Sequence, residues 1–380
     1  MTKLGYAPSA IKTPAFVIDL KRLERNLQVI SKVQAAAEVE IILALKAFAG
    51  WSTFPLIKKY LVGATASSLN EARLIYEEMG VKAHSYAPVY LPDEFDDLTA
   101  LSSHLTFNSL GQLYQYKDRI QNGVSIGLRV NPEYSTVETD LYNPAVPGSR
   151  LGVLAGQLPE DITDLVDGLH VHTLCESDAK STGELLQAIE HYFGKYLPNL
   201  KWLNLGGGHL MTKAAYDLDF LITVLTAFRQ KYPQLKLILE PGSAIAWEVG
   251  ELHTTVLDIV ESGSVKTAMI DASFTAHMPD TLEMPYRPTI LESSKAADAK
   301  YHYRIGGISC LAGDFMEVYP FDQALRVGDR LTFWDMIHYT MVKTTMFNGV
   351  RHPAIYISDQ DDQLELLRSF SYEDFKQRLG

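Results

Sequence analysis

Short runs of branched and aromatic residues recur through the first two thirds of the chain, each followed by a longer stretch in which apolar positions return at helical intervals. IILAL from 41, VGATA from 62, KAHSYA from 82, HLTFN from 104, SIGLRV from 125, DGLHVH from 167, KWLNLG from 201 and KLILEP from 236 read as eight strands. Between two of them, SLNEARLIYEEMG carries Leu69, Ala72, Leu74, Ile75 and Met79 at roughly helical spacing and stops at Gly80, a residue type that closes helices. Eight strand-then-helix units predict a (β/α)8 TIM barrel.

Beyond about residue 250 the pattern changes to strands without regular helices: TTVLDIV, VKTAMID, YHYRIGG, DRLTFW, YTMVKTTMF, AIYI and QLELL. This portion predicts an all-β C-terminal domain of sandwich-like or barrel-like form. The opening TPAFVIDL is also strand-like and is expected to join it across the chain. The predicted division is a barrel over 25–250 and a β domain made of 1–24 with 251–380.

Composition narrows the function classes. In 380 residues, 47% are hydrophobic and 21% charged, as in ordinary soluble globular chains. The net charge of -12 argues against binding a phosphate backbone, so no nucleic-acid partner is expected, and it suits a cationic ligand. Cys175 and Cys310 are the only cysteines, too few for a disulfide framework and badly spaced for zinc; no metal site is expected. MTKLGYAPSA has no apolar core of signal-peptide length, and no apolar run is long enough to span a bilayer. A cytoplasmic protein without membrane contact is the expectation.

In a barrel of this type the reacting groups sit where strands end. Lys46, Arg129, His172, the triplet Gly206, Gly207 and Gly208, and Glu240 before Pro241 and Gly242 close their runs. Singly, each has an ordinary reading: a solvated lysine, a hydrogen-bonded core histidine, a flexible turn, an acidic turn residue. Together on one rim they suit pyridoxal phosphate. A partly desolvated lysine has a lowered pKa, so its free amine can condense with an aldehyde. Glycines after a strand let backbone N–H groups approach a phosphate. A carboxylate facing the pyridine nitrogen, here Glu240, keeps that nitrogen protonated and makes the ring an electron sink.

The strings ALKAF, GLHVH, NLGGGH, LEPG, GISCLAGD and MIHYTMVKTTMFNG cover nearly the whole chain and resemble the fold-type III, alanine-racemase-like, pyridoxal-phosphate decarboxylases. The resemblance implies that Lys46 tethers the cofactor aldehyde, His172 stacks on its ring, Arg129 lies beneath it, Gly206, Gly207 and Gly208 hold its phosphate, Gly242 contacts it, and Glu240 pairs the ring nitrogen. It also implies that Cys310, Asp314 and Tyr339 come from the second domain, Tyr339 to the cofactor, and that Cys310 and Asp314 enter the partner's barrel in a homodimer with shared active sites. A glutamate opposite the ring nitrogen, where racemases of the fold place an arginine, favours decarboxylation.

Two departures bear on the substrate. Ser243 follows the EPG turn where the diaminopimelate, ornithine and arginine decarboxylases of this fold usually carry arginine, and Leu311 follows the late cysteine where ornithine-type enzymes carry aspartate. GLHVHTLCES, NLGGGHLMTK, EPGSAIAW and FWDMIHYTMVKTTMFNGV look most like the branch that decarboxylates carboxynorspermidine or carboxyspermidine, polycationic carboxytriamines, in polyamine biosynthesis; a diaminopimelate or other basic amino-acid decarboxylase is the alternative. Cys310 is then the acid expected to reprotonate Cα, against its ordinary reading as a small buried hydrophobe. Asp271, His277, Asp280, Glu283 and Asp314 are the candidates for holding the distal amines, and Glu176 and Cys175, just past His172, for lining the same cavity.

Overall fold

The computed structural model describes residues 4–137, 140–284, 286–296 and 298–380. The chain divides into two compact units, Glu24–Ile245 and Met1–Leu23 with Ala246–Gly380. Strand β1 (Ala15–Asp19) lies in the second of these.

The Glu24–Ile245 unit is the expected parallel barrel. Its strands are β2 (Glu40–Ile41), β3 (Leu43–Ala44), β4 (Ala64–Ala66), β5 (Ala83–Tyr86), β6 (Ser102–Phe107), β7 (Ser125–Asn131), β8 (Val153–Leu154), β9 (Gly168–His170), β10 (Trp202–Asn204) and β11 (Lys236–Leu239). They run in the order β2-β11-β10-β9-β7-β6-β5-β4-β3, with β8 added beside β7. β2 and β3 are two halves of the run expected as one strand. Ile41 pairs with Leu239 on one side and Leu43 with Ala64 on the other, so a single segment meets both ends of the path and brings the ring round on itself. The strands are buried over most of their length, and where burial covers consecutive positions, as in Leu237–Leu239, the sequence is continuously apolar.

Trp202 closes the barrel interior at one level. Its Nε1 donates to Ser125 Oγ at 2.9 Å, and its indole lies so close over Gly168 that a Cβ there would sit 2.0 Å from the ring. The expected helix after β4 is present as Leu69–Leu74, continued by a π-helical turn over Ile75–Met79. Ser68 caps it by accepting the Glu71 N–H, and Gly80 ends it at φ 71°.

The other unit is a mixed sheet. β12 (Gly250–Ser262), β13 (Val265–Ile270), β14 (Tyr301–Gly306), β15 (Phe315–Phe321), β16 (Arg330–Trp334), β17 (Ala354–Ser358) and β18 (Leu364–Arg368) join β1 in the order β15-β14-β13-β12-β1-β17-β18, with β16 paired to β12. β1 runs antiparallel to β12 and parallel to β17, so TPAFVIDL joins this sheet as expected.

Two expectations fail here. YTMVKTTMF is not a strand: it forms 3-10 turns at Met341–Lys343 and Phe347–Gly349, and Tyr339 and Asn348 stand at φ 53° and 57°, outside the extended region. Its Lys343 N–H is taken locally by Tyr339 O at 3.1 Å, which leaves its β-branched residues no ladder to enter. Conversely FMEVYPF, which is not among the expected strands, is strand β15; as the end strand of the sheet it tolerates the N–H that Pro320 lacks. A final helix, Tyr372–Gln377, capped by Ser371, was also unforeseen. No helix among the described residues is long and apolar enough to cross a membrane.

Candidate active site

The site builds from the C-terminal ends of the barrel strands. Lys46 lies two residues past β3, in a turn closed by Ala47 and Phe48 N–H groups donating to Ala44 O. Its residue surface is exposed, while the walls of the barrel mouth surround its Nζ. Those walls push the amine pKa down by desolvation, the Arg129 charge adds to this, and the Glu240 charge opposes it. Lys46 Nζ is 3.4 Å from His172 Nε2.

Arg129, on β7, is buried and held at both ends of its fork: Nη1 donates to Tyr86 Oη at 2.7 Å and Nη2 to His172 O at 2.8 Å. Its guanidinium stands 4.8 Å over the Tyr86 ring. Tyr86 stacks on His170 with centroids 5.1 Å apart, and His170 and His172 stand 6.4 Å apart with rings inclined by 20°. Aromatic rings thus form a layered column beside the lysine. His172 is held well below the usual imidazole range by burial first and by the Lys46 and Arg129 charges next, so it is neutral.

Glu240, only 6% exposed, follows β11. Asn204 Nδ2 donates to its Oε1 at 2.6 Å, and His170 Nε2 lies 3.4 Å from its Oε2. Burial alone would raise the carboxyl; His170 and Asn204 outweigh it and hold it at about 2. Burial also depresses His170, so near pH 7 that ring is uncharged and the donor holding the carboxylate is Asn204.

The triplet after β10 fits a close approach to a ligand. Gly206 and Gly208 have φ 69° and 96°, and Cβ atoms built at 206, 207 and 208 would lie 2.5, 2.7 and 2.3 Å from the carbonyl oxygens of Val171, Glu240 and Leu174. The amides of Gly206 and Gly207 are already used, donating to Asn204 Oδ1 at 2.8 Å and His172 Nδ1 at 2.9 Å. Gly208 lines a small cleft with Glu176, His209, Gly242 and Ser243. Gly242 packs on the lysine turn, a Cβ there falling 2.3 Å from Ala47 Cβ.

The remaining candidates belong to the β unit. Cys310 is exposed, its N–H donating to Asn348 Oδ1 at 2.8 Å. Asp314 is buried, accepting the Thr275 and Ser309 N–H groups at 3.1 and 2.9 Å. Asp271 accepts from Thr13 Oγ1 and the Thr255 N–H. His277 is fully buried, its Nδ1 accepting the Ser273 N–H at 3.2 Å, and desolvation lowers it to about 3. Asp280 is buried with the Tyr286 and Thr340 hydroxyls on Oδ2. Glu283 alone of these acids is exposed, paired with Lys343. Tyr339 is half-buried at φ 53°.

Sequence reasoning passed over Tyr86, His170 and Asn204. Their signal was present: His170 precedes His172 by two positions, which puts both on one strand face, and Asn204 stands two before the glycines. Glu71 was passed over too; burial raises its carboxyl, and it accepts the Ser67 N–H at 2.6 Å.

An amine pushed toward neutrality, an ionised carboxylate, a neutral imidazole and a cradle that any side chain would fill are the donor set that pyridoxal phosphate requires. The profile described as "Pyridoxal-dependent decarboxylase, C-terminal sheet domain" matches residues 15–337. Over 377 residues, 98% of this chain and 96% of the relative, the chain is 53% identical to a carboxyaminopropylagmatine decarboxylase of Synechocystis sp.. It is 38% identical to a carboxynorspermidine/carboxyspermidine decarboxylase of Campylobacter jejuni, over 97% of this chain and 98% of that one. The crystal structure of carboxynorspermidine decarboxylase complexed with norspermidine, also from Campylobacter jejuni, matches with TM-score 0.89 and 37% identity, covering 97% of this chain and 100% of that one. Geometry and likeness converge, and the chain belongs to the pyridoxal-dependent decarboxylases, with pyridoxal phosphate as its cofactor.

Proposed function

We propose that the enzyme removes the α-carboxylate of a carboxylated polyamine, carboxynorspermidine or carboxyspermidine, releasing norspermidine or spermidine. The observation that carries this reading is Glu240, held ionised by Asn204 in a barrel mouth that also lowers Lys46. The bound cofactor supplies the electron sink for the pair left on Cα. Lys46 Nζ would tether it, Glu240 would keep its ring nitrogen protonated and His172 would offer it an uncharged face, while Arg129 fixes His172 through its carbonyl. The Cα–carboxylate bond breaks with loss of CO2, and Cα takes the proton of Cys310 Sγ.

Cys310, Asp314 and Tyr339 would come from the partner of a homodimer, the β domain of 1–24 and 251–380 completing the other copy's 25–250 barrel, in the cytoplasm. Exposed Ile308 (45%) and Leu311 (46%) beside the exposed thiol support an interface there. Of the distal-amine candidates, Asp280, Asp314 and His277 are buried and hydrogen-bonded within their own unit and Asp271 is held by Thr13 and Thr255, so we assign the distal cation to Glu283, the exposed acid of the set, in exchange for Lys343. Tyr339 is assigned to the cofactor.

A second reading has a specific observation behind it. The relative at 53% identity acts on carboxyaminopropylagmatine, which shares a carboxylated aminopropyl head but ends in a guanidinium. The barrel groups act on the head alone, so they suit both tails. The deciding experiment incubates the purified protein and cofactor with carboxynorspermidine, carboxyspermidine, carboxyaminopropylagmatine and diaminopimelate side by side, reading products by mass. Turnover of diaminopimelate in preference to all three polyamine derivatives refutes the proposal.

A further inference from the structure

The two backbone amides turned away from any phosphate are the most informative feature of the site. A backbone N–H can only donate, so whatever atom it meets must be an acceptor. Gly207 N–H meets His172 Nδ1 at 2.9 Å, and in a neutral imidazole this sends the ring proton to Nε2. Nε2 is the atom 3.4 Å from Lys46 Nζ, so in this contact the ring is donor and the amine acceptor. Gly206 N–H meets Asn204 Oδ1 at 2.8 Å, which turns the Asn204 NH2 to Glu240 Oε1 at 2.6 Å; the opposite flip would face oxygen against carboxylate. The Glu240 N–H donates back to Gly206 O at 2.8 Å, closing the loop.

We propose that Gly206 and Gly207 act through their amides as a polarity-setting element: one fixes Asn204 as the donor that keeps Glu240 charged, the other fixes His172 as the Nε2–H tautomer that keeps Lys46 an uncharged amine. Asn204 is thereby a positioning residue. This deepens the proposed reading, since it rests on Glu240 serving the ring nitrogen. Charged and titratable groups coupled to Glu240 are His170, His84, His104, Lys46 and Arg129; those acting on His172 are Lys46, Arg129, His170 and His209. Protonating His172 at Nδ1 would break the Gly207 bond and set a second cation beside Arg129, next to the Lys46 amine.

The first test is 15N spectroscopy of histidine-labelled full-length protein, with and without pyridoxal phosphate, with His172 assigned by His172→Gln. The expected result is a bare Nδ1 and a protonated Nε2, unchanged down through about pH 6.5, where a free imidazole titrates. A proton on Nδ1, or an ordinary titration, overturns the proposal. This readout needs no substrate, so it stands apart from the substrate reading, which fails if no carboxylated polyamine is turned over.

The second test is Asn204→Asp, which keeps the acceptor for Gly206 but sets an oxygen against Glu240. Two carboxyls that close share a proton, and the shared proton restores the missing donor only at low pH. Relative to wild type, kcat is expected to fall increasingly as pH rises from about 6 to about 9, reaching about 10- to 100-fold, with a matching pH-dependent change in the absorbance of bound cofactor. Wild-type kcat throughout, or a loss that ignores pH, overturns the proposal. Should that variant not fold, Asn204→Ala removes the donor without adding charge. Its kcat is expected to fall about 10- to 100-fold at every pH, and an unchanged kcat overturns the proposal.

Discussion

Replacing Glu240 by glutamine isolates one physical quantity, the charge opposite the ring nitrogen. The substitution keeps the volume, the buried position and an oxygen for Asn204 Nδ2, which now donates to Oε1 at 2.6 Å. A carboxyl with an ordinary value of 4.5 that sits at about 2 in the fold prefers its charged form by roughly 3 kcal/mol. Because the folded value lies below the unfolded one, that stability is fully present above pH about 4.5 and is lost as pH falls toward 2. Near pH 7, where His170 is uncharged, Glu240→Gln gives up the part that Asn204 supplies, about 1.5–3 kcal/mol, and a fall in melting temperature of about 2–4 °C follows. The same charge stabilises the electron-rich ring in the transition state, and roughly 3–4 kcal/mol for a preorganised electrostatic contact corresponds to about 10²–10³ in kcat. The assay is steady-state CO2 release with whichever polyamine derivative is turned over, with cofactor content followed by absorbance. A variant with full cofactor and kcat within about threefold of wild type would refute the reasoning, because it would give the ring nitrogen to another group.

Lys46→Ala is expected to abolish the absorbance of lysine-linked cofactor and turnover together; a variant that keeps a reducible lysine linkage moves the tether elsewhere. Cys310→Ala should slow turnover or misdirect the proton while leaving cofactor content unchanged, and normal turnover assigns the acid to another residue. Gly208→Ala, at φ 96° and with a Cβ only 2.3 Å from Leu174 O, should cost about 1–3 kcal/mol of stability and weaken cofactor binding, measured by thermal melting with and without pyridoxal phosphate.

The barrel was legible because eight short strand-like runs alternate with stretches of helical spacing. The split of the first strand was not, since it depends on Ile41 and Leu43 finding partners at opposite ends of the sheet path. In the β unit the errors have opposite physical causes. β-branched residues in YTMVKTTMF suggest a strand, but positive φ at Tyr339 and, one residue beyond the run, at Asn348 ends the extended chain; FMEVYPF holds a proline that its place as an end strand, with an N–H to spare, accommodates.

Within the site, residue types at strand ends were legible and hydrogen-bond direction was not. Lys46, Arg129, His172 and Glu240 follow from which side chain closes each run. That the glycines hold Asn204 and His172 does not follow, because glycine-rich turns are read by their lack of side chains, whereas Gly206 and Gly207 act here through the one group every glycine shares with other residues, its N–H. A string such as NLGGGH states that backbone comes close to something. Whether that something is a phosphate, an amide oxygen or a ring nitrogen is decided by strands that enter the barrel more than thirty residues away, where β9 delivers His172 and β11 delivers Glu240 to the same turn. Hence the polarity of the site, which fixes the amine as uncharged and the acid as charged, is a property of strand neighbourhood in the barrel rather than of any motif within it.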